Sequence, residues 1–227
     1  MPTRRAIRFI IGDHLTRASG ESSYLGLICY YICVQKNITV PVFDNLAEPE
    51  LVNILLAGGI GVLLTDTIYG LVGSARIPDA STKVMDVKGR KDKPGTLIAA
   101  NIQQLIDSGI QREYVKAAEQ FWPGPVTVVL PIKPGLEYLD LGLHSLAVRV
   151  PDNPEIVTLL KEVGPLLTTS ANRPNEPTVK SIEEAQEIFG NRLDFYVNGG
   201  RIESPLASTI IRIKIELLRQ GAATINC

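Results

Sequence analysis

The sequence predicts an α/β fold with a mixed sheet, and two observations lead to this prediction. From Pro41 onward, short apolar runs typical of buried strands alternate with segments in which apolar residues recur at helical spacing. Of the 227 residues, 45% are hydrophobic and 21% are charged, which suffices for one substantial core. We therefore expect one globular domain over residues 41–227, preceded by an atypical extension over residues 1–40.

The predicted elements follow from apolar periodicity and from glycine, proline and capping residues. The pair Gly58-Gly59 ends the first helix, and a proline at position 154 lies in the first turn of the fifth. Ser181 followed by Glu184 predicts a capping box at the start of the sixth. Helices are predicted at 48–57, 79–86, 103–106, 113–121, 154–163 and 181–189. Strands are predicted at 61–65, 96–100, 126–130, 146–150, 166–169, 195–197, 208–213 and 215–218.

The cysteines and histidines exclude several kinds of site. Cys29 and Cys33 have no second pair beside them, Cys227 stands alone, and His14 and His144 are far apart. This spacing supports neither a disulfide framework, nor a zinc finger, nor a histidine-based triad. We therefore expect a cytoplasmic protein in which no metal ion is held by protein side chains.

The charge distribution separates the extension from the rest of the chain. Residues 1–40 carry a net charge of +3 and residues 41–227 carry −4, so the domain has no overall attraction for nucleic acid. The apolar run at 24–34 is too short to span a bilayer and lacks a good cleavage site, so no membrane association is expected. An additional edge element, a frayed terminus, a targeting peptide and a mis-assigned start remain open for the extension.

A polar segment with the sequence TDTIYG, at residues 65–70, directly follows a predicted strand. It places two hydroxyls, a carboxylate and a phenol at a strand end, where open α/β sheets bind ligands. Threonine and aspartate are also ordinary turn residues, so a polar turn is the alternative.

A cationic segment with the sequence KGRKDK, at residues 88–93, puts four positive charges within six residues. We interpret it as a loop whose glycine lets the backbone approach a phosphate, and a solvated surface loop is the alternative. Neither a P-loop nor a dinucleotide-binding motif is present, so a nucleotide site would need separate side chains.

Arg149 lies within an otherwise apolar predicted strand. A buried guanidinium needs an anionic partner, and a ligand carboxylate or a structural ion pair with Asp or Glu would serve equally.

The segment 168–178 contains many neutral hydrogen-bonding groups on a proline-stiffened loop, which is typical of nucleotide recognition. Ser208 and Arg219 could add a hydroxyl and a cation to the same cavity. Trp122 is interpreted as a core anchor, whereas Thr127 presents a hydroxyl to a ligand.

In this order, the motifs resemble those of the YrdC-type threonylcarbamoyl-AMP synthase family, in its short single-domain form, over roughly residues 43–221. The family pattern Thr-[Asp/Glu]-Thr-x-Tyr-Gly, Lys-x-Arg, Trp-Pro-Gly-Pro-x-Thr, Ala-Val-Arg and Ser-x-Asn occurs at 65–70, 88–90, 122–127, 147–149 and 170–172. The resemblance implies a twisted open sheet flanked by helices around a large cavity. It also implies synthesis of threonylcarbamoyl-AMP and pyrophosphate from L-threonine, bicarbonate and ATP, for the N6-threonylcarbamoyladenosine modification of tRNA next to the anticodon.

The same resemblance implies roles for individual residues. Lys88 and Arg90 would be catalytic, and Mg²⁺ would accompany ATP. The implied ATP-binding residues are Lys88, Arg90, Thr127, Ser170, Asn172, Thr178 and Arg219. The implied threonine-binding residues are Thr65, Arg149, Thr168 and Ser208. This chain has Leu64 where many relatives have proline, and Ile98 where some have a threonine-contacting histidine, so these two positions bear on amino-acid selectivity.

The implied partners are a downstream tRNA threonylcarbamoyl transferase complex and, through a weak contact, tRNA or double-stranded RNA. One alternative is an RNA-binding or ribosome-maturation factor that uses the same basic cavity. Another is a carbamoyl-transfer module like that of hydrogenase maturation proteins, but its acylphosphatase-like segment and Cys-x-x-Cys fingers are missing from this sequence.

Overall fold

The computed structural model describes residues 39–90 and 93–213. Nine strands in this part of the chain form one mixed sheet in the order β1-β8-β2-β3-β7-β4-β6-β5-β9, with helices on both faces. The strands are β1 Val42–Phe43, β2 Ile60–Leu64, β3 Tyr69–Ser74, β4 Thr96–Ile98, β5 Val126–Pro131, β6 Ser145–Arg149, β7 Leu166–Ser170, β8 Phe195–Val197 and β9 Thr209–Arg212. The helices are α1 Pro49–Leu56, α2 Pro78–Lys88, α3 Ile102–Asp107, α4 Arg112–Ala118, α5 Glu137–Asp140, α6 Pro154–Val163 and α7 Ile182–Phe189.

The strand pairing confirms the predicted mixed α/β sheet. The pairs β1-β8, β8-β2, β4-β6 and β5-β9 are parallel, whereas β2-β3, β3-β7, β7-β4 and β6-β5 are antiparallel. All six predicted helices and seven of the predicted strands have counterparts, most with ends within two residues of those predicted. The predicted strand 215–218 lies outside the described residues.

Successive apolar residues of a strand point to opposite faces of the sheet, so they pack into different hydrophobic clusters. Ile98 and Leu166 pack with α1 and α6 on one face. Leu97 and Leu167 pack on the other face with α3, α4 and the buried Trp122, which confirms that this tryptophan is a core anchor. A third cluster places α2 and α7 against β2 and β3. The face under α1 and α6 continues along the strands into the polar region described below.

Strand β3 was not predicted as a strand. All six of its residues are buried, so the strand lacks the apolar-polar alternation that reveals half-buried strands. It also contains Gly70 and Gly73, which lower strand propensity but are required by packing. A Cβ atom on Gly73 would lie 2.9 Å from Val84 Cγ2, and one on Gly70 would lie 2.5 Å from Thr168 Oγ1.

Two local predictions were wrong. Lys88 does not belong to a charged loop: it is the last residue of α2, and its side chain is buried. The helix ends there because Gly89 adopts φ 67° and Arg90 N donates to Met85 O, which is a Schellman closure. The capping box at Ser181 does not form either, since Glu184 Oε2 accepts from Lys180 N, one residue earlier.

Among the described residues, no helix is long and apolar enough to cross a lipid bilayer.

Candidate active site

A row of small residues, three of them with hydroxyl side chains, crosses three neighbouring strands on one face of the sheet. Thr96 of β4 is in register with Thr168 of β7, and Ser170 of β7 is in register with Gly70 of β3. Side chains two residues apart share a face, so this row continues the face that carries Ile98. Together these strands border a cavity of about 60 Å³. Its lining residues are Thr65, Ile68, Gly70, Thr96, Arg149, Thr168, Thr169, Ser170 and Ser208.

The cavity therefore gathers all four residues predicted to bind threonine and one of those predicted to bind ATP. Thr65, Arg149, Thr168 and Ser208 are separated by up to 143 residues in sequence but line one space. Gly70 keeps that space open, because a Cβ at this position would approach Thr168 Oγ1 to 2.5 Å. Thr96 also lines the cavity but could not be predicted from the sequence, because a single threonine at a strand start carries no distinguishing pattern.

Lys88 joins α2 to the end of β7 behind this cavity. Its Nζ donates to Ser170 O at 2.7 Å, to Asn172 O at 2.9 Å and to Ser170 Oγ at 3.3 Å, and it also contacts Asn172 Oδ1. Three ammonium protons cannot serve four acceptors at once, so the bonding is shared. Lys88 is only 2% exposed, and burial together with the charge of Arg90 lowers its pKa to about 8.

The loop after β7 is held in shape by Asn172. Its Oδ1 accepts from Ser170 Oγ at 2.7 Å, and its Nδ2 donates to Glu176 O. The backbone pair Val179 N to Ala171 O, at 3.0 Å, brings the half-buried Thr178 back beside the start of the loop. Lys88, Ser170 and Asn172 are thus joined by hydrogen bonds, and Thr178 lies next to the backbone bond that closes the loop.

The turn after β2 is organised by Thr65. Its Oγ1 donates to Ile68 O at 2.8 Å and accepts from the N–H groups of Thr67 and Ile68, both at 3.3 Å. Such side-chain to backbone bonds fix a polar turn without regular structure. The turn directs Thr65 into the cavity wall and leaves Asp66 and Thr67 beside Arg149.

Arg149 finds its anion within the protein. Its Nη2 lies 3.0 Å from Asp66 Oδ1, and its Nη1 donates to Thr67 Oγ1 at 3.1 Å. The two charged side chains are 4% and 5% exposed. Burial raises the pKa of Asp66, against the opposing effect of the Arg149 charge and nearby backbone N–H groups, and burial lowers the pKa of Arg149. Of the two alternatives left open by the sequence, the structural ion pair is present, with Arg149 still in the cavity wall.

The remaining predicted residues lie in different places. Thr127 of β5 is fully buried, and its Oγ1 is 2.7 Å from Ser208 Oγ, so one predicted ATP contact and one predicted threonine contact are joined directly. Arg90 is half-buried directly after Gly89 at the end of α2. Arg219 lies outside the described residues.

These features define a class of protein: an open α/β sheet with a small hydroxyl-lined cavity, a cation in its wall and a second cation buried behind it, suited to a small anionic ligand. The comparisons identify the family. The Sua5/YciO/YrdC family model, which bears the description telomere recombination, matches residues 53–221, and the chain belongs to this family. The resemblance predicted from the five motifs is thereby confirmed.

Among the relatives named threonylcarbamoyl-AMP synthase are proteins of Photobacterium profundum and Bacillus subtilis. The protein of Photobacterium profundum is 35% identical over 192 residues, which cover 78% of this chain and 100% of that protein. The protein of Bacillus subtilis is 34% identical over 169 residues, which cover 70% of this chain and 49% of that protein.

A solved structure of Sua5 from P. abyssi in complex with L-threonine is also similar. Its TM-score is 0.67 at 26% identity, and the match covers 76% of this chain and 54% of that chain. The chain therefore spans about half the length of the Bacillus and P. abyssi proteins and the whole of the Photobacterium protein. The open mixed sheet flanked by helices that the resemblance implies is confirmed. The cavity that the predicted residues line in the described part of the chain is small, about 60 Å³, and is not the large cavity expected.

Proposed function

We propose that this chain is an L-threonylcarbamoyladenylate synthase, a nucleotidyltransferase that condenses L-threonine, bicarbonate and ATP to threonylcarbamoyl-AMP and pyrophosphate. The product serves the N6-threonylcarbamoyladenosine modification of tRNA next to the anticodon. One observation carries the proposal: a hydroxyl-lined cavity with Arg149 in its wall adjoins the Ser170–Asn172 loop, which Lys88 holds from behind. The cavity provides an amino-acid site, and the loop provides a phosphate site directly beside it.

The reaction needs two anions to be brought together. The amine of threonine first combines with bicarbonate to give a carbamate and water. A carbamate oxygen then attacks the α-phosphorus of ATP, and the bond between that phosphorus and the bridging oxygen of pyrophosphate breaks. Positioning of the reactants and fixed positive charges near the departing pyrophosphate suffice for this step, and no protein nucleophile is required.

Lys88 and Arg90 supply the positive charges at the phosphates. Of the four acceptors around Lys88 Nζ, the Ser170 hydroxyl and the Asn172 amide are side-chain groups that can rotate, whereas the two carbonyls are fixed. A phosphate oxygen can therefore replace the side-chain acceptors while the carbonyls keep Lys88 in place. Thr127, Thr178 and Arg219 complete the proposed nucleotide contacts.

The cavity suits a small amino acid. A volume of about 60 Å³ corresponds to roughly four to six water-sized positions, which favours a small ligand over a large one. Arg149 binds the carboxylate, and Thr65, Thr168 and Ser208 offer hydroxyls. Ile98 is fully buried in the core under α1 and α6, so it makes no polar contribution to selectivity.

Magnesium enters the site with ATP in this proposal. The cavity wall contains a single cation and no carboxylate, and no group of three or more potential ligand side chains occurs in the described part of the chain. Such a site does not fit a protein-held Mg²⁺, whose preferred ligands here are phosphate oxygens and water.

We further propose that the enzyme acts in the cytoplasm and supplies its adenylate to a transferase complex that modifies tRNA. The burial of Lys88 argues against the alternative role as an RNA-binding factor. That alternative drew on the cations at residues 88–93 as a surface patch, but Lys88 is 2% exposed and bonded to the protein, so it does not belong to such a patch.

Pyrophosphate release from ATP, Mg²⁺ and bicarbonate, measured with each of the amino acids in turn, tests the proposal. We expect release with L-threonine, weaker release with L-serine and none with large amino acids. Release that does not depend on an amino acid, or tight salt-sensitive RNA binding by a protein without synthase activity, would contradict the proposed function.

A further inference from the structure

Beyond the direct contacts of the site, we infer that Asp66 is a positioning residue that determines how tightly the amino-acid substrate binds, by fixing the Arg149 guanidinium in the cavity wall. This inference rests on the proposed function, because it assigns Asp66 to the same amino-acid site. Asp66 itself does not line the cavity.

The guanidinium is held from one side only. Asp66 Oδ1 lies 3.0 Å from Nη2, and Thr67 Oγ1 accepts from Nη1 at 3.1 Å. Both holding residues come from the turn after β2, and neither lines the cavity, whereas Arg149 does. The ion pair therefore leaves the cavity empty for a ligand.

Arg149 keeps donor capacity for that ligand. A guanidinium has five N–H donors, and the contacts to Asp66 and Thr67 engage only its two terminal nitrogens. Arg149 Nε is buried and has no hydrogen-bond partner in the described part of the chain. Each terminal nitrogen carries a second N–H group and Arg149 lines the cavity, so a substrate carboxylate can bind these groups without displacing Asp66.

Asp66 itself is not explained by packing or by capping. Its side chain is 5% exposed, and neither carboxylate oxygen accepts a hydrogen bond of good geometry from a described residue. A buried carboxylate with so few partners is unfavourable on its own, and burial raises its pKa accordingly. The structure thus retains a poorly solvated carboxylate whose nearest charged partner is the Arg149 guanidinium.

Removal of the charge on Asp66 should release Arg149. An unpaired guanidinium in a buried site seeks another acceptor or solvent, so it loses the orientation in which it meets the substrate. The substitution should therefore weaken binding of the amino-acid carboxylate. It should leave nucleotide binding largely unchanged, because the proposed nucleotide contacts lie around Lys88 and Ser170.

The test compares Asp66→Asn and Asp66→Glu with wild type and with Asp140→Asn. Asp140 is a matched control, since it is a carboxylate 2% exposed whose Oδ1 accepts from Gly142 N, outside the site. For Asp66→Asn we expect the KM for L-threonine to rise about 10- to 100-fold, which is the size of a lost charged hydrogen bond, with the KM for ATP within about threefold of wild type. The KM of Asp66→Glu for L-threonine should lie between those of wild type and Asp66→Asn, and Asp140→Asn should show no rise in this KM.

Calorimetric binding of L-threonine and L-threoninamide gives a readout that general destabilisation would not change. Wild type should prefer the carboxylate ligand over the amide by about tenfold or more, and Asp66→Asn should lose that preference. If Asp66→Asn does not fold, Thr67→Val can be used instead, because it removes the hydrogen bond from Arg149 Nη1 to Thr67 Oγ1. This variant should reduce the preference for the carboxylate ligand by several-fold.

A KM for L-threonine and a carboxylate preference that both stay within twofold of wild type in Asp66→Asn would overturn the inference. Equal losses for L-threonine and ATP would also overturn it, because they would indicate a structural role. A wild-type protein that binds L-threonine but makes no adenylate would contradict the proposed function alone, and the binding comparison would still decide the role of Asp66. A wild-type protein that binds neither amino-acid ligand would contradict both.

Discussion

Replacement of Lys88 by methionine tests the proposed catalytic charge separately from the stability of the fold. Methionine is one atom shorter than lysine: it removes the ammonium group and replaces the δ-methylene by sulfur. In the folded protein, Lys88 has a pKa of about 8 instead of its ordinary 10.5. At about 1.36 kcal/mol per pH unit, burial destabilises the charged form by an amount on the order of 3 kcal/mol, which the substitution relieves.

The opposing loss comes from the acceptors left behind. Asn172 O loses its donor and becomes a buried unpaired carbonyl, at about 1–3 kcal/mol. Ser170 O keeps the donor Asn172 N at 3.1 Å, and Asn172 Oδ1 keeps the Ser170 hydroxyl at 2.7 Å. The two effects nearly cancel, so we expect Lys88→Met to change the free energy of unfolding by no more than about 2 kcal/mol in either direction.

Activity should respond quite differently. Loss of a fixed charge that stabilises the departing pyrophosphate reduces kcat by about 100-fold or more. Pyrophosphate release and thermal melting should be measured for Lys88→Met and for Lys83→Met, a control on the exposed side of α2. A folded Lys88→Met protein with more than a tenth of wild-type kcat would refute the phosphate role, and a protein that fails to fold would refute the energy estimate.

Three other perturbations test the site. Because deprotonation of Lys88 removes a needed charge, kcat/KM should fall as the pH rises through about 8, and a pH profile of Lys88→Arg should lack this limb. Gly70→Ala brings a Cβ to 2.5 Å from Thr168 Oγ1 and should lower the free energy of unfolding, measured by denaturant melts, by about 1–3 kcal/mol. The double variant with Thr168→Ala should regain part of the lost free energy of unfolding. Thr127→Val and Ser208→Ala break the same 2.7 Å hydrogen bond, so a double-mutant cycle should give a coupling of about 1 kcal/mol, and an additive pair would show that the bond is unimportant.

Periodicity predicted the fold well where one face of an element is apolar. The helix α6 was predicted with the bounds 154–163 that it has, because apolar spacing, an initial proline and a final glycine all agree there. β3 could not be predicted in the same way. Its glycines are explained only by the side chains of Val84 and Thr168, which come from other elements.

The site could be predicted as a set of residues but not as a geometry. Lys88 was placed in a cationic loop because its neighbours are charged, although the Schellman closure at Gly89 was compatible with a helix end. Its bonds to Ser170 and Asn172 span more than 80 residues, so no local pattern indicates them. The ordered resemblance to a family grouped these segments, and the structure supplied the contacts.

The ion pair between Asp66 and Arg149 could not be predicted from the sequence. The sequence indicated that Arg149 needs an anion, and it singled out the segment 65–70 as functional. With 24 acidic residues in the chain, nothing in the pattern joined the two. The turn that Thr65 organises after β2 brings Asp66 to 3.0 Å from Arg149, which no pattern in the sequence indicates.

The central claim is that bicarbonate, L-threonine and ATP are joined in one product at the cavity beside Lys88. Mass spectrometry of reactions with carbon-13 bicarbonate tests it most directly. We predict a threonylcarbamoyl-AMP product that carries the bicarbonate carbon, forms only when L-threonine is present, and is nearly absent with Lys88→Met. An adenylate without the labelled carbon, or labelled product formed equally well by Lys88→Met, would contradict the claim.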